Sequence, residues 1–99
     1  MLMFNGTQII SANSGDSRAI LVSSDPEKPN SVAHMTVTAI SRDHKPEETD
    51  EYNRIIIRGG RVEPFKDMNG DPMGPLRIWL KNEDVPGLAM TRSIGDLVA

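Results

Sequence analysis

The stretch Ala12-Asn13-Ser14-Gly15-Asp16-Ser17-Arg18-Ala19-Ile20-Leu21 sets one acid between a glycine and a serine, with apolar residues on either side. An acid held at the end of a rigid turn has two uses. It can bond its own backbone and shape the turn, or it can face a hard cation, which takes oxygen ligands. Local residue types favour the first use: by itself Asp16 reads as a hairpin corner. Three other groups invite the same question. Asp67-Met68-Asn69-Gly70-Asp71 starts like a calcium loop, but Pro72 stands where the loop glycine belongs and Ile78 where the bidentate Glu belongs. Asp43-His44 is the one neighbouring His–carboxylate pair. Catalysis needs a nucleophile and a base brought together in space, which adjacency does not supply, so a capping or surface role is the better reading. Arg92-Ser93-Ile94-Gly95-Asp96 again places an acid after a glycine and reads first as a turn or helix end.

The 14 acids do not cluster as a metal centre would require. Glu47, Glu48, Asp50 and Glu51 fall on one predicted helix, and the rest are scattered. That helix is expected over residues 46–58. Pro46 suits a first helical position, the acids favour the N-terminal end, and Arg54 and Arg58 favour the C-terminal end. Asp50 and Arg54 form an i,i+4 pair; Tyr52, Ile55 and Ile56 form the expected buried stripe; Gly59-Gly60 supplies a left-handed stop.

The remaining elements are strands. Residues 8–12 and 18–22 are predicted to pair as a β-hairpin around the loop 13–17. Residues 34–42 alternate Met35, Val37 and Ala39 against Thr36 and Thr38, which predicts a strand with one buried face. Arg61 to Glu63 starts a strand that Pro64 ends, residues 67–75 form a loop, Leu76 to Leu80 is a strand around Trp79, and Thr91 or Ser93 caps a short turn toward Ala99. The expected class is α+β: antiparallel strands with one main helix.

Composition narrows the function. The chain of 99 residues is 37% hydrophobic with four aromatics. At that size a domain buries roughly 60–65% of its unfolded surface, so the core is thin. The net charge of −3 with interspersed signs argues against a nucleic-acid surface. No apolar run approaches a membrane span. The absence of cysteine excludes disulfides and thiolate metal sites and suits a reducing compartment.

Three blocks, taken together and in order, resemble the metal-dependent serine/threonine protein phosphatases of type 2C. They are ANSGDSRAIL at 12–21, ISRDHKPEETDEYNRIIIRGGRVE at 40–63 and GLAMTRSIGD at 87–96. The resemblance covers nearly all of the chain except the loops at 23–33 and 64–75, and RIWLKNEDVPGLAMTRSIGD is similar to versions in plants and single-celled eukaryotes. It implies an α-β-β-α sandwich in which Mn2+ or Mg2+ activates a water that attacks phosphorus in line. It also implies a phosphoprotein substrate, no nucleic-acid or membrane partner, and an intracellular location, cytoplasmic or nuclear.

Carried over residue by residue, Asp16 matches an acid that approaches an additional, weaker metal position, and it is the one metal candidate. His44 and Lys45 match a block that positions the helix. Arg92 and Asp96 match scaffold near the cleft. No catalytic or other cofactor-binding residue is assigned. The family's Glu-Asp pair and Asp-Gly-His-Gly block, and its later Asp-Gly-Xaa-Trp-Asp and Asp-Asn blocks, have no counterpart here. Residues 1–99 are therefore expected to be a partial catalytic domain, with its N- and C-terminal portions missing, inactive alone and prone to self-association through exposed strand edges. A non-catalytic phosphatase-like binding or regulatory module is the alternative, and a small adaptor unrelated to phosphatases the third.

Overall fold

The computed structural model describes residues 1–98; Ala99, toward which a capped turn is expected, lies outside the described residues. Seven strands and one α-helix follow in the order β1 Leu2–Asn5, β2 Gln8–Ser11, β3 Ile20–Ser24, β4 Met35–Ala39, α1 Thr49–Ile57, β5 Arg61–Lys66, β6 Pro72–Trp79 and β7 Pro86–Leu88. Every strand pairing is antiparallel, in agreement with an α+β class. The chain divides into two compact units: residues 1–13 with 17–43, and residues 14–16 with the chain from His44 onward.

The first unit is built of two hairpins, and neither is the expected one. β2 pairs with β1, in register Asn5↔Gln8 through Leu2↔Ser11, and β3 pairs with β4, from Ile20↔Ala39 to Ser24↔Met35. The turn chemistry explains the exchange. Gly6 has a φ of +58°, the left-handed value that the first central position of a type II′ two-residue turn requires. Asn5-Gly6 is therefore a tighter hairpin signal than the five-residue stretch 13–17. The second hairpin closes over a longer link. Asp25 accepts from the Glu27 backbone N–H (2.9 Å), and a single 3-10 turn spans Val32–His34. Its base is tied by a forked pair, Arg18 Nε to Asp43 Oδ1 at 3.0 Å and Nη2 to Oδ2 at 2.9 Å. Ser41 Oγ also accepts from the Ala19 N–H at 2.7 Å. The buried face expected for the strand at 34–42 is absent. All five residues of β4 are exposed, Val37 to 62%.

The second unit carries the core. Ile55, Ile78 and Trp79 are each 7% exposed. α1 begins at Thr49, later than Pro46 suggests, because Lys45 to Glu48 forms a separate turn closed by the Glu48 N–H on the Lys45 carbonyl (3.1 Å). The helix ends as expected. Gly60 N–H reaches the Ile55 carbonyl at 2.9 Å and Gly59 N–H the Ile56 carbonyl at 3.0 Å, with Gly59 at φ +85°. These two bonds are the paired closure of a Schellman motif. The buried stripe differs from the expectation. Tyr52 and Ile56 are 41% and 44% exposed, and Glu51 joins Ile55 in the interior.

β6 is the centre of the three-stranded sheet, ordered β5-β6-β7. β5 runs through Pro64 rather than stopping there, because the pairing register shifts between Pro64 and Phe65. Proline, which cannot donate to the ladder, is tolerated at such a bulge. The β5–β6 link is shorter than the loop expected at 67–75 and folds around Asp67. Asp67 Oδ1 accepts from the backbone N–H groups of Asn69 (2.8 Å) and Asp71 (2.9 Å).

Trp79 anchors the sheet. Its Nε1–H donates to the Glu63 carbonyl at 2.9 Å, and Phe65 meets its ring edge-on at 5.2 Å between centroids. Residues 89–98 form bends without a helix, so neither Thr91 nor Ser93 caps one among the described residues.

Candidate functional site

The three blocks singled out in the sequence converge in the second unit on backbone and side-chain bonds. Gly15 N–H donates to His44 Nδ1 at 3.2 Å, and His44 N–H donates to the Gly15 carbonyl at 2.9 Å. The His44 carbonyl accepts from the Thr91 N–H at 2.9 Å. One residue from each block thus takes part in a short chain of bonds centred on His44. Gly15 is buried at φ +111°, a conformation L side chains rarely adopt, so the backbone itself calls for glycine; an added Cβ would only reach ordinary contact with the Arg92 carbonyl and the Met90 sulfur, each at 3.5 Å. Because Nδ1 accepts, its lone pair is occupied in holding the 14–16 segment. Asp43, the neighbour in the suspected His–acid pair, is engaged by Arg18 instead.

The second convergence is electrostatic. Glu51, 2% exposed, projects from α1 on the Ile55 face, four residues before it. Arg92 grips it with Nη2 to Oε1 at 2.5 Å and Nε to both oxygens at 3.0 Å. Thr91 Oγ1 donates to Oε2 at 2.6 Å, and Arg54 Nη2 donates to Oε2 at 2.8 Å and to the Thr91 carbonyl at 2.7 Å. The Arg92 guanidinium, with Arg54 and Thr91 adding to it, holds the Glu51 carboxyl far below the usual carboxylate range against the opposing effect of burial. This is a clamp between α1 and the 91–92 segment.

Sequence reasoning placed Arg92 as scaffold, and its grip on Glu51 is a scaffold contact. It missed Glu51 and Thr91. The available signal was Glu51 lying one helical turn before Ile55, on the apolar stripe rather than opposite it.

Asp16 sits on an exposed bend at the rim of the Gly15–His44 link. Among the described residues, no three His, Asp or Glu side chains come close enough together to hold a metal ion. Mg2+ and Mn2+ take about six oxygen or nitrogen donors, and one exposed carboxylate supplies too few. The residues present do not by themselves fit a Mn2+ or Mg2+ centre. They position one acid, Asp16, on a pinned loop.

The convergence of the three blocks agrees with comparison to known proteins. The family model for protein phosphatase 2C matches residues 1–98. The chain belongs to the protein phosphatase 2C family. Similar relatives include "Probable protein phosphatase 2C 12" of Oryza sativa subsp. japonica, 41% identical over 93% of this chain and 21% of its own length. "Probable protein phosphatase 2C 61" of Arabidopsis thaliana is 38% identical over 95% of this chain and 26% of its own. "Probable protein phosphatase 2C 52" of Arabidopsis thaliana is 40% identical over 96% and 18%. The chain therefore spans about a fifth to a quarter of the length of the relatives it matches. No solved structure gives a significant match. No helix of the described residues is long and apolar enough to cross a membrane.

Proposed function

We propose that these 99 residues are a segment of a Mn2+- or Mg2+-dependent protein serine/threonine phosphatase, whose full-length parent hydrolyses phosphoserine and phosphothreonine in phosphoprotein substrates. The observation that carries the reading is the family match over residues 1–98. The role of this segment is architectural. The His44 link and the Glu51 clamp fix the loop that carries Asp16, and Asp16 contributes one oxygen to a metal whose other ligands come from outside the chain.

In the parent the segment is part of an α-β-β-α sandwich. The uncovered strands of the first unit suit pairing with further strands, and in isolation they suit self-association. Neither nucleic acid nor membrane is a partner in this reading, and the location is intracellular, cytoplasmic or nuclear. In this reading the isolated chain is expected to be inactive, since no metal cluster forms among its described residues. A non-catalytic binding or regulatory module is the second reading, and the lack of converging metal ligands among the described residues favours it for the chain alone.

The experiment is a Mn2+ titration of the chain followed by amide NMR and by p-nitrophenyl phosphate turnover. Paramagnetic broadening centred on residue 16, lost in Asp16→Asn, with no turnover, supports the proposal. Broadening spread evenly over the acids would remove Asp16 as the ligand. Turnover that disappears in Asp16→Ala would overturn the claim that the isolated segment is inactive.

A further inference from the structure

The second unit contains a cavity of about 630 Å3 whose wall carries three guanidinium groups, those of Arg54, Arg58 and Arg92, and no acid. Ser14 and Ser93 add hydroxyls, and Ile78, Trp79 and Pro86 add apolar surface. The volume is within the range of peptide and small-molecule sites, and it far exceeds what one bare anion fills.

The charges in the wall are unequally committed. Arg92 and Arg54 are both engaged by the carboxylate of Glu51. Arg58 follows the last turn of α1 and has no ion pair or side-chain hydrogen bond among the described residues. The Nε of Arg54 is buried and has no acceptor among the described residues. Such a donor is costly to leave unmet and is normally paired. The wall therefore presents one uncommitted guanidinium, that of Arg58, and beside it an aromatic and aliphatic surface.

We propose that this cavity docks an acidic peptide, with a side-chain carboxylate paired to Arg58 and bringing its oxygens to the Arg54 side of the wall. The neighbouring apolar side chain of the peptide packs toward Trp79. A carboxylate suits the site better than a phosphate dianion. Arg54 and Arg92 are already engaged, by Glu51 among others, so the one uncommitted guanidinium calls for one further negative charge. The planar fork of a guanidinium favours a carboxylate of fixed orientation, which gives the peptide a register. The proposal does not depend on the phosphatase reading.

Trp79 is the only tryptophan of the chain and lines the cavity, so its fluorescence reports occupancy directly. The titrant is acetyl-Leu-Glu-Leu-Asp-Ile-amide, which contains no aromatic residue. We expect a saturable Trp79 signal that weakens with added salt. Affinity should fall about tenfold or more for the Gln/Asn version of the peptide and for Arg58→Glu, with Arg58→Gln in between. Lys28→Glu, a comparable charge reversal in the other unit, should leave binding unchanged. Arg58 is exposed at the end of the helix, so its substitutions do not touch the core. No saturable signal up to about 1 mM peptide would overturn the proposal. So would equal binding of the neutral peptide, or an undiminished affinity in Arg58→Glu. A peptide with phosphoserine in place of Asp that binds about tenfold tighter would replace the carboxylate by a phosphate as the occupant.

Discussion

The two units of this chain use the same kinds of residue with opposite results. The first holds four strands rich in Ile, Val and Leu and buries none of its residues. The second has one short helix and three strands, yet it buries Ile55, Ile78 and Trp79 and, beside them, Glu51 and Thr91. What separates them is layering. A two-stranded hairpin has one neighbour per strand and nothing across either face, so its apolar side chains stay wet and its stability is marginal. In the second unit a helix lies beside β5, and β6 is flanked on both sides. Hydrophobic sequence is thus not enough to make a core; a second layer has to be present. A polar clamp between distant segments is effective only where such a layer excludes water from it.

The largest test of this contrast is Glu51. Glu51→Gln removes the charge that Arg92 and Arg54 share while keeping the side chain's size. Breaking one partner of a buried pair costs about 3–5 kcal/mol, and here the two arginines are 47% and 40% exposed, so about 3 kcal/mol is expected in denaturant unfolding of the second unit. The same residue sets a pH dependence. Its carboxyl is depressed in the folded state, so its contribution is fully present above the unfolded value of 4.5 and is lost progressively as pH falls below it. Wild-type stability should decline from about pH 4.5 downward, and Glu51→Gln should be flatter over the same window. Parallel pH curves for the two would mean that the clamp is not what holds α1 to the 91–92 segment.

Gly87 gives the next effect. Its φ is +70°, and an added Cβ would lie 2.8 and 2.9 Å from two atoms of the Trp79 ring. The ring sits in the core and carries a hydrogen bond to Glu63, so it has little room to yield. Left-handed strain and overpacking together make Gly87→Ala cost about 2 kcal/mol. A neutral result would show that β7 and the Trp79 packing against it are looser than the sheet register implies. In the first unit Gly6 also has a positive φ, but nothing lies within 4 Å of an added Cβ, so only the backbone term would apply there.

The same contrast explains what could be read from the sequence. Features decided within a few residues were legible: the Schellman stop at Gly59-Gly60, the strand around Trp79, the strand at 35–39 and the α+β class. Features decided by a distant partner were not. Glu51 reads as one of four solvated acids at a helix start until Arg92, 41 residues away, is brought to it. The hairpin at 8–22 failed because two apolar runs in sequence say nothing about which pair, and the Asn5-Gly6 turn decided for β1. Pro64 reads as a strand end in the sequence because a bulge depends on the register of the partner strand. Asp16 was legible as an acid on a turn.

The smallest effect tests the first unit. Val37 faces Val22 across the β3–β4 pair and is 62% exposed. Val37→Ala then removes only a cross-strand contact and some β preference, about 0.5 kcal/mol. Ile55→Ala, by contrast, empties a core position for about 3 kcal/mol. Measured by hydrogen exchange of the β3–β4 amides, a Val37→Ala loss above about 1.5 kcal/mol would mean that this face is covered in solution. Dilution then separates the causes. If another copy's strand covers Val37, the excess shrinks as the concentration falls, as it must for any stability gained by association. If the excess is independent of concentration, the first unit has a second layer of its own, and its contrast with the second unit fails.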